Sequence, residues 1–470
     1  MRAPWGLVLL LAAAAASRAQ CTPDQAGRAE SLFARQNLDA AEALAKTCDS
    51  SGPRSLPFKV LLGEIAFRKG RVEDAERAIR DAIALDPNSA RAWFDLGRIS
   101  ECSFNRKAAE DCFRRAHELA PNAAAAVLHW AMALQGPEAE AAFQTYLDLV
   151  KDKEPRYGEE ARALLAIRRA LGGRPPFGLV SGYGRAEIRL EPVMRGGELR
   201  AYRIPVSIGG GGPVKLLLDT GASGIVLNAS LAGRFHVQRA AATTVRGLGD
   251  TGDIRGYVGV AGRVRIGGVE FRDAVVTVGE GPSIAGEQGL LGTDVFDRFL
   301  VTLNLPRGVL RLEPFSEGEG DGAPADRGFI TDPEFERVYR LGHSLLIPTS
   351  VSGSDPVMFV LDTGASQTLV ARDFAAELAR MRSASGMPLR GLSGKINDVD
   401  AADDLKFAFG RFSVRCLDTL SVDLRRHDED MGMRIGGFLG FPILKMFSVT
   451  IDYRNGLIKL ECPTAQSAPR

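Results

Sequence analysis

The sequence predicts a multidomain chain in which an all-α helical-repeat region precedes an all-β region built as two matching lobes. Three observations carry this. A length of 470 residues exceeds the about 250–300 that a single core usually reaches. Between residues 22 and 150, short amphipathic helical patterns return at a step of 34 residues. Beyond residue 180 the pattern turns to short runs of Val, Ile, Leu and Phe punctuated by glycine, and one phrase, LLLDTGASGIVL (216–227), returns 143 positions later as FVLDTGASQTLV (359–370).

The first 19 residues read as a secretory signal peptide. Arg2 gives a positive start, residues 7–16 are an unbroken apolar run, and Ser17, Arg18 and Ala19 offer a cleavage site. The run is about half of the roughly 20 residues a membrane-spanning helix needs, so no stable membrane span is expected and the mature chain is placed outside the cytoplasm, secreted or periplasmic. Cys21 offers a lipoprotein alternative, against which Arg18 and Gln20 stand.

All six cysteines follow the expected cut, an even count that suits an oxidising compartment. Their order suggests Cys21 with Cys48, Cys102 with Cys112 and Cys416 with Cys462; a buried free thiol is the alternative for each. No C-x-x-C occurs and the five histidines are scattered, so neither a metal site nor a cofactor is expected. With 45% hydrophobic and 25% charged residues the composition is that of an ordinary globular protein. The 59 basic and 58 acidic side chains nearly cancel, which leaves no field to draw nucleic acid.

Residues 20–150 form the helical-repeat domain. At the step of 34, Leu62-Gly63 aligns with Leu96-Gly97, Ala75 with Ala109, Ile79 with Phe113, Ala82 with Ala116 and Pro87 with Pro121. The small residues let paired helices approach, and the prolines separate units. With its W-x-x-L-G opening at 93–97, this resembles the tetratricopeptide repeat. Segments 26–48 and 127–150 read as degenerate units. Such a stack offers a concave surface for a protein partner, or it braces the domain that follows. Residues 151–180 hold one more helix (157–171) and a linker broken by GGRPP at 172–176.

The two lobes occupy 181–315 and 329–463, joined by a polar linker, SEGEGDGAPADRG, whose residues 316–328 have no core-forming content. GGGG at 209–212 reads as a hairpin loop between strands 202–208 and 214–218, since no Gly-Lys-Ser/Thr follows it. Each lobe repeats one order: the acid phrase, a glycine-rich stretch (246–256 or 390–400), a strand pair, then an apolar-apolar-Gly element. Asp219 lies 73 residues before Gly292, and Asp362 lies 78 before Gly440.

Two D-T-G-A-S elements, each followed by Leu290-Leu291-Gly292 or Phe438-Leu439-Gly440, resemble the aspartic peptidases of the retropepsin and pepsin type over about 185–315 and 335–462. The resemblance implies a pseudo-dimeric pair of β-barrel lobes. A lone D-T-G is more often a turn whose aspartate bonds its own backbone, but two in matched context favour chemistry. Carboxylates within hydrogen-bonding reach cannot both ionise, so Asp219 and Asp362 would supply a base and an acid together. Gly221 and Gly364 let the loops meet, and the hydroxyls of Thr220 and Thr363 can bond across to the opposite loop. By the resemblance, Ser223 and Ser366 bond the outer carboxylate oxygens. It also implies a flap at 247–256 carrying Gly247, Leu248 and Gly249, and a second at 391–394 carrying Gly391 and Leu392. Tyr257 lies too late for a flap role, and Asp398, Asp400, Asp403 and Asp404 read as a solvated face.

The expected activity is hydrolysis of a polypeptide substrate by an aspartic endopeptidase acting as a monomer. The competing readings are a catalytically silent peptide-binding protein working through its repeats, and lobes that pair between chains.

Overall fold

A computed structural model describes residues 23–49, 55–151, 153, 155–250, 252–281, 283–315, 333–384 and 389–462. The expected signal peptide, Cys21 and the linker at 316–328 lie outside them. Helices α1 (Pro23–Ala34), α2 (Leu38–Cys48), α3 (Leu56–Arg68), α4 (Val72–Leu85), α5 (Ala90–Cys102), α6 (Arg106–Leu119), α7 (Ala124–Ala133) and α8 (Gly136–Val150) stack in consecutive pairs. The repeat has a physical basis: a Cβ on Gly63 would stand 2.5 Å from Ile79, and one on Gly97 2.4 Å from Phe113, so the same small-to-large contact recurs one unit later. The turns recur too, with a left-handed residue at Gln36 (φ 60°), Gly70 (φ 75°) and Phe104 (φ 60°), each 34 apart. Asn37 and Asn105 then cap α2 and α6 through bonds to the Ala40 and Ala108 amides. The segment at 26–48 is therefore a regular unit. Helix α9 (Pro155–Leu171) follows, and the chain enters its first strand at Gly178–Ser181.

The fold class is the one predicted, helical repeats followed by a β-rich region with two lobes. Among the described residues, strands form a nine-stranded sheet in the first lobe and a ten-stranded sheet in the second. A six-stranded sheet joins them, because Phe299–Asn304 of the first lobe pairs antiparallel with Ser448–Asp452 of the second. In each lobe the strand ending at the acid runs parallel to the apolar-apolar-Gly strand. Val214–Asp219 lies beside Gly289–Gly292 with Asp219 opposite Gly292, and Val357–Asp362 lies beside Gly437–Gly440 with Asp362 opposite Gly440. This register explains why both motifs recur at similar spacing. A single apolar cluster, from Ile204 and Leu218 to Leu361 and Leu439, runs through both lobes.

The helical repeats pack onto the second lobe. Val60, Phe67, Val72 and Ile79 share a core with Leu346, Met358, Val360 and Phe438. Beyond the apolar seam, the Arg434 amide donates to the Arg68 carbonyl at 2.7 Å and Thr244 donates to Glu159 of α9 at 2.9 Å. The bracing role expected of the repeats is thus present as a packed interface.

Two of the three expected disulfides are overturned: Cys102, Cys112, Cys416 and Cys462 are free. Cys102 closes α5 while Cys112 lies on the seventh residue of α6, an offset of about 9 Å along the helix at 1.5 Å per residue, too far for a bridge. Cys416 ends a strand of the ten-stranded sheet, whereas Cys462 follows the last strand of the six-stranded one. Burial pushes the Cys102 and Cys112 thiols up to about 12 and about 11, which leaves them inert. Cys48 is disulfide-bonded. No helix among the described residues is long and apolar enough to cross a membrane.

Candidate active site

The two acid loops meet at the seam between the lobes. Thr220 Oγ1 donates to the Leu361 carbonyl at 2.7 Å and accepts from the Thr363 amide at 3.0 Å. Thr363 Oγ1 donates to the Leu218 carbonyl at 3.1 Å and accepts from the Thr220 amide at 3.1 Å. These four bonds, all buried, fix the separation of the loops. A Cβ on Gly221 would stand 2.9 Å from the Asp362 carboxyl carbon, and one on Gly364 2.4 Å from that of Asp219, so no larger residue lets the carboxyls come so close.

Asp219 and Asp362 lie side by side at the floor of the cleft, their carboxyl groups in hydrogen-bonding contact. Burial raises both above the usual carboxylate range. For Asp219 the neighbouring Asp362 charge and their shared bond push further up, against the Gly221 amide, which donates to Asp219 Oδ1 at 2.8 Å. For Asp362 the same bond, the Gly364 and Ala365 amides at 2.9 and 2.8 Å, and the nearby His343 ring pull back down. Two buried carboxyls this close cannot both ionise, so the pair titrates as a unit.

The serines do not hold the outer carboxylate oxygens. Ser223 Oγ donates instead to Asp294 Oδ2 at 3.0 Å, while the Gly224 amide donates to Asp294 Oδ1 at 2.8 Å. Ser366 is exposed, and the Gly364 and Ala365 amides both donate to Asp362 Oδ1. Asp294 is thus a site residue that sequence reasoning passed over, although GLLGTD was in view: the first lobe reads Gly292-Thr293-Asp294 where the second reads Gly440-Phe441-Pro442. Burial raises the Asp294 carboxyl, and the Gly224 amide opposes this. His343 is the second omission. It sits in the turn between strands Tyr339–Leu341 and Ser344–Val351, and its Nε2 bonds the Gly221 carbonyl oxygen at 2.9 Å, tying a second-lobe hairpin to the first acid loop. Nothing in the sequence marks it.

Hairpin tips stand where both flaps are expected. The first is the tip, described at 246–250 and 252–253, of the hairpin made by Gln238–Val245 and Ile254–Ile266. The second is the hairpin Leu389–Gly391 and Gly394–Ile396. They cross in backbone contact: the Ser393 amide donates to the Leu248 carbonyl at 2.9 Å and the Asp250 amide to the Lys395 carbonyl at 2.8 Å. Leu392 then rests against Val193, Leu217, Val226 and Leu290 of the first lobe, and Leu248 against the apolar cluster of the second. The four aspartates after the second flap pair with Arg372, Arg382 and Arg415 at the surface, as a solvated face should.

Dyad and flaps line a cleft of about 2070 Å³, larger than the roughly 300–1,000 Å³ of a small-molecule pocket. One wall comes from outside the lobes: Phe67 and Arg68 of α3, Phe94 and Arg98 of α5, Leu128 of α7 and Tyr157 of α9. Another comes from the helix Arg425–Met431, which the second lobe carries between Thr419–Val422 and Gly437–Gly440.

Residues 204–295 and 347–443 match the family model for an aspartyl protease, and residues 32–98 match that for a tetratricopeptide repeat. No curated protein matches the chain in sequence. Similar solved structures include an O-GlcNAc transferase mutant of Thermobaculum terrenum, 22% identical over 27% of this chain with a TM-score of 0.25; this chain spans 25% of that one. MamA is 19% identical over 31% of this chain and 85% of its own, with a TM-score of 0.27. A thermophilic tetratricopeptide-repeat protein of Thermus thermophilus is 18% identical over 32% of this chain and 82% of its own, also at 0.27.

Proposed function

We propose that this chain is an aspartic endopeptidase that cleaves polypeptides outside the cytoplasm with a water held between Asp219 and Asp362. One observation carries the reading: two carboxyls from separate halves meet in one cleft beneath two crossed hairpins, held in register by the reciprocal threonine bonds.

The ionised Asp362 takes a proton from water as its oxygen attacks the scissile carbonyl carbon. Protonated Asp219 gives its proton to the carbonyl oxygen, which neutralises the charge that would otherwise build there. A neutral gem-diol results. Its collapse breaks the C–N bond while Asp362 returns a proton to the leaving nitrogen and Asp219 regains one from the diol, so the dyad ends as it began. Supplying acid and base from one hydrogen-bonded pair needs unequal sites, and the donors beside Asp362 together with the crowding of Asp219 support that division of roles. The signal-like start and the bonded Cys48 support an oxidising compartment.

Asp219→Asn and Asp362→Asn should each abolish cleavage of an unfolded protein and weaken binding of a statine-type inhibitor, while far-ultraviolet circular dichroism stays as in the parent. Cleavage retained by both single variants would sink the assignment and leave the silent peptide-binding reading.

A further inference from the structure

The wall that the helical repeats give to the cleft carries two guanidiniums that the described residues pair only weakly. The guanidinium of Arg68 stands over the Phe33 ring at 5.2 Å, and that of Arg98 over the Phe67 ring at 4.7 Å. Among the described residues no carboxylate lies within ion-pair distance of Arg68, whose one side-chain bond is a 3.3 Å contact with the Gln36 amide oxygen. Of its nearest acids, Glu64 is held by Arg91 at 2.6 Å, and Glu429 lies beyond pairing distance. Arg98 reaches only Asp95, at the long distance of 3.9 Å, and burial with the neighbouring Glu64 disfavours the charged form of that carboxyl. The two arginines are close enough to repel, since Arg98 together with burial disfavours the charged form of Arg68. Two neighbouring, half-sheltered guanidiniums stacked on aromatic rings are built to receive an anionic partner.

Their location says which partner. Arg68 and Arg98 line the same cleft as Asp219, Asp362 and both flap tips, so whatever reaches them shares that space with the chain being cut. The face of the repeats formed by α3, α5 and α7 is therefore continuous with the cleft over the dyad. We propose that it is a substrate exosite, in which Arg68 and Arg98 bind an acidic side chain of the same extended polypeptide whose scissile bond lies at the dyad. The proposal rests on the peptidase reading and narrows it to substrates that carry acidic residues at a distance from an apolar cleavage point. The repeats serve recognition of the substrate and not of a separate adaptor.

The test uses the full chain carrying Asp219→Asn, so that binding is read apart from hydrolysis. Fluorescein-labelled peptides with one apolar centre would carry two glutamates, or two glutamines, on either side. The Glu peptide on one side should bind about tenfold more tightly than its Gln counterpart, as expected of charge-assisted bonds, and the preference should fade with salt. Adding Arg68→Gln and Arg98→Gln should erase that preference, Arg68→Lys with Arg98→Lys should restore most of it, and Arg80→Gln on the outer face of α4 should leave it intact. Equal binding of Glu and Gln peptides overturns the exosite even if the unmodified protein cleaves both. Conversely, absence of cleavage by the unmodified protein with the preference intact removes the peptidase reading and leaves the acidic-peptide site standing. Should the Gln double variant fail to fold, the Glu-to-Gln comparison and its salt dependence on the Asp219→Asn chain still decide.

Discussion

Thr220 and Thr363 each spend one hydroxyl on two bonds, and each removal has a calculable result. Thr220→Val keeps the shape but strands the Leu361 carbonyl and the Thr363 amide, both buried, at about 1–3 kcal/mol for each unpaired group. Thr220→Ser should lose little, and chemical denaturation of the two variants separates the bond from the methyl. The dyad has a pH signature whose sign follows from its environment. The proposed mechanism needs one member of the dyad ionised and the other protonated, and both folded values are raised, so the rate profile should be a bell with both limbs above the ordinary carboxylate range of about 4. Stability runs the other way. A carboxyl raised on folding contributes fully below its unfolded value and loses that contribution as pH climbs through the folded one. Asp219→Asn should therefore melt higher than the parent at pH 7 and level with it at pH 3. The threonine bonds were legible in the sequence because D-T-G appeared twice and each hydroxyl had one place to reach. The serine roles were not, because Asp294, far along the chain, accepts the bond that Ser223 donates, and backbone amides donate to Asp362.

At the scale of elements, hidden regularity explains both what was read and what was missed. The left-handed turn at positions 36, 70 and 104 is glycine only once, so Gln36 and Phe104 disguise units whose geometry is the same. The acid-to-glycine span is five residues longer in the second lobe, 78 against 73, a difference that the sequence neither places nor shapes. That span holds the helix Arg425–Met431, on which Asp428 is pushed up to about 7, chiefly by burial and also by Asp373 and Asp423, with the Ile435 amide and Arg434 opposing. Raised on folding, this group costs stability as pH rises from about 4 through 7. Asp428→Asn, which can still accept from Ile435, should raise the melting temperature by roughly 2–4 °C at pH 8 and leave it unchanged at pH 4. The flaps make a sharper demand. A Cβ on Gly391 would lie 2.2 Å from the Leu248 carbonyl oxygen, so Gly391→Ala cannot cross the flaps as seen. Cleavage of a fluorogenic peptide should fall about tenfold or more in kcat/KM, while the melting temperature, set by the cores below, moves little.

For the whole molecule, how the repeats sit on the lobes was beyond reach of the sequence, since apolar residues at 60, 67, 72 and 79 read equally well as contacts inside a helical stack. The structure shows them in one cluster with Leu346, Met358 and Phe438. Two modules that share a core cannot unfold independently, because melting either exposes apolar surface on the other. Calorimetry of the full chain should show one cooperative transition, followed in parallel by the fluorescence of Trp93 and Trp130 in the helices and by loss of β-sheet signal. Gly70 probes this seam directly. Its left-handed turn is the one Gln36 and Phe104 also adopt, so φ alone costs a side chain only about 1 kcal/mol. A Cβ there, however, would stand 2.8 Å from Met358 Cγ across the interface. Gly70→Leu should lower the single transition for both signals together by more than Gly136→Leu, where the backbone is likewise left-handed but the space around a Cβ is open. Two resolved transitions, with the β-sheet signal indifferent to Gly70→Leu, would mean that the repeats are tethered to the lobes and do not form a wall of the cleft.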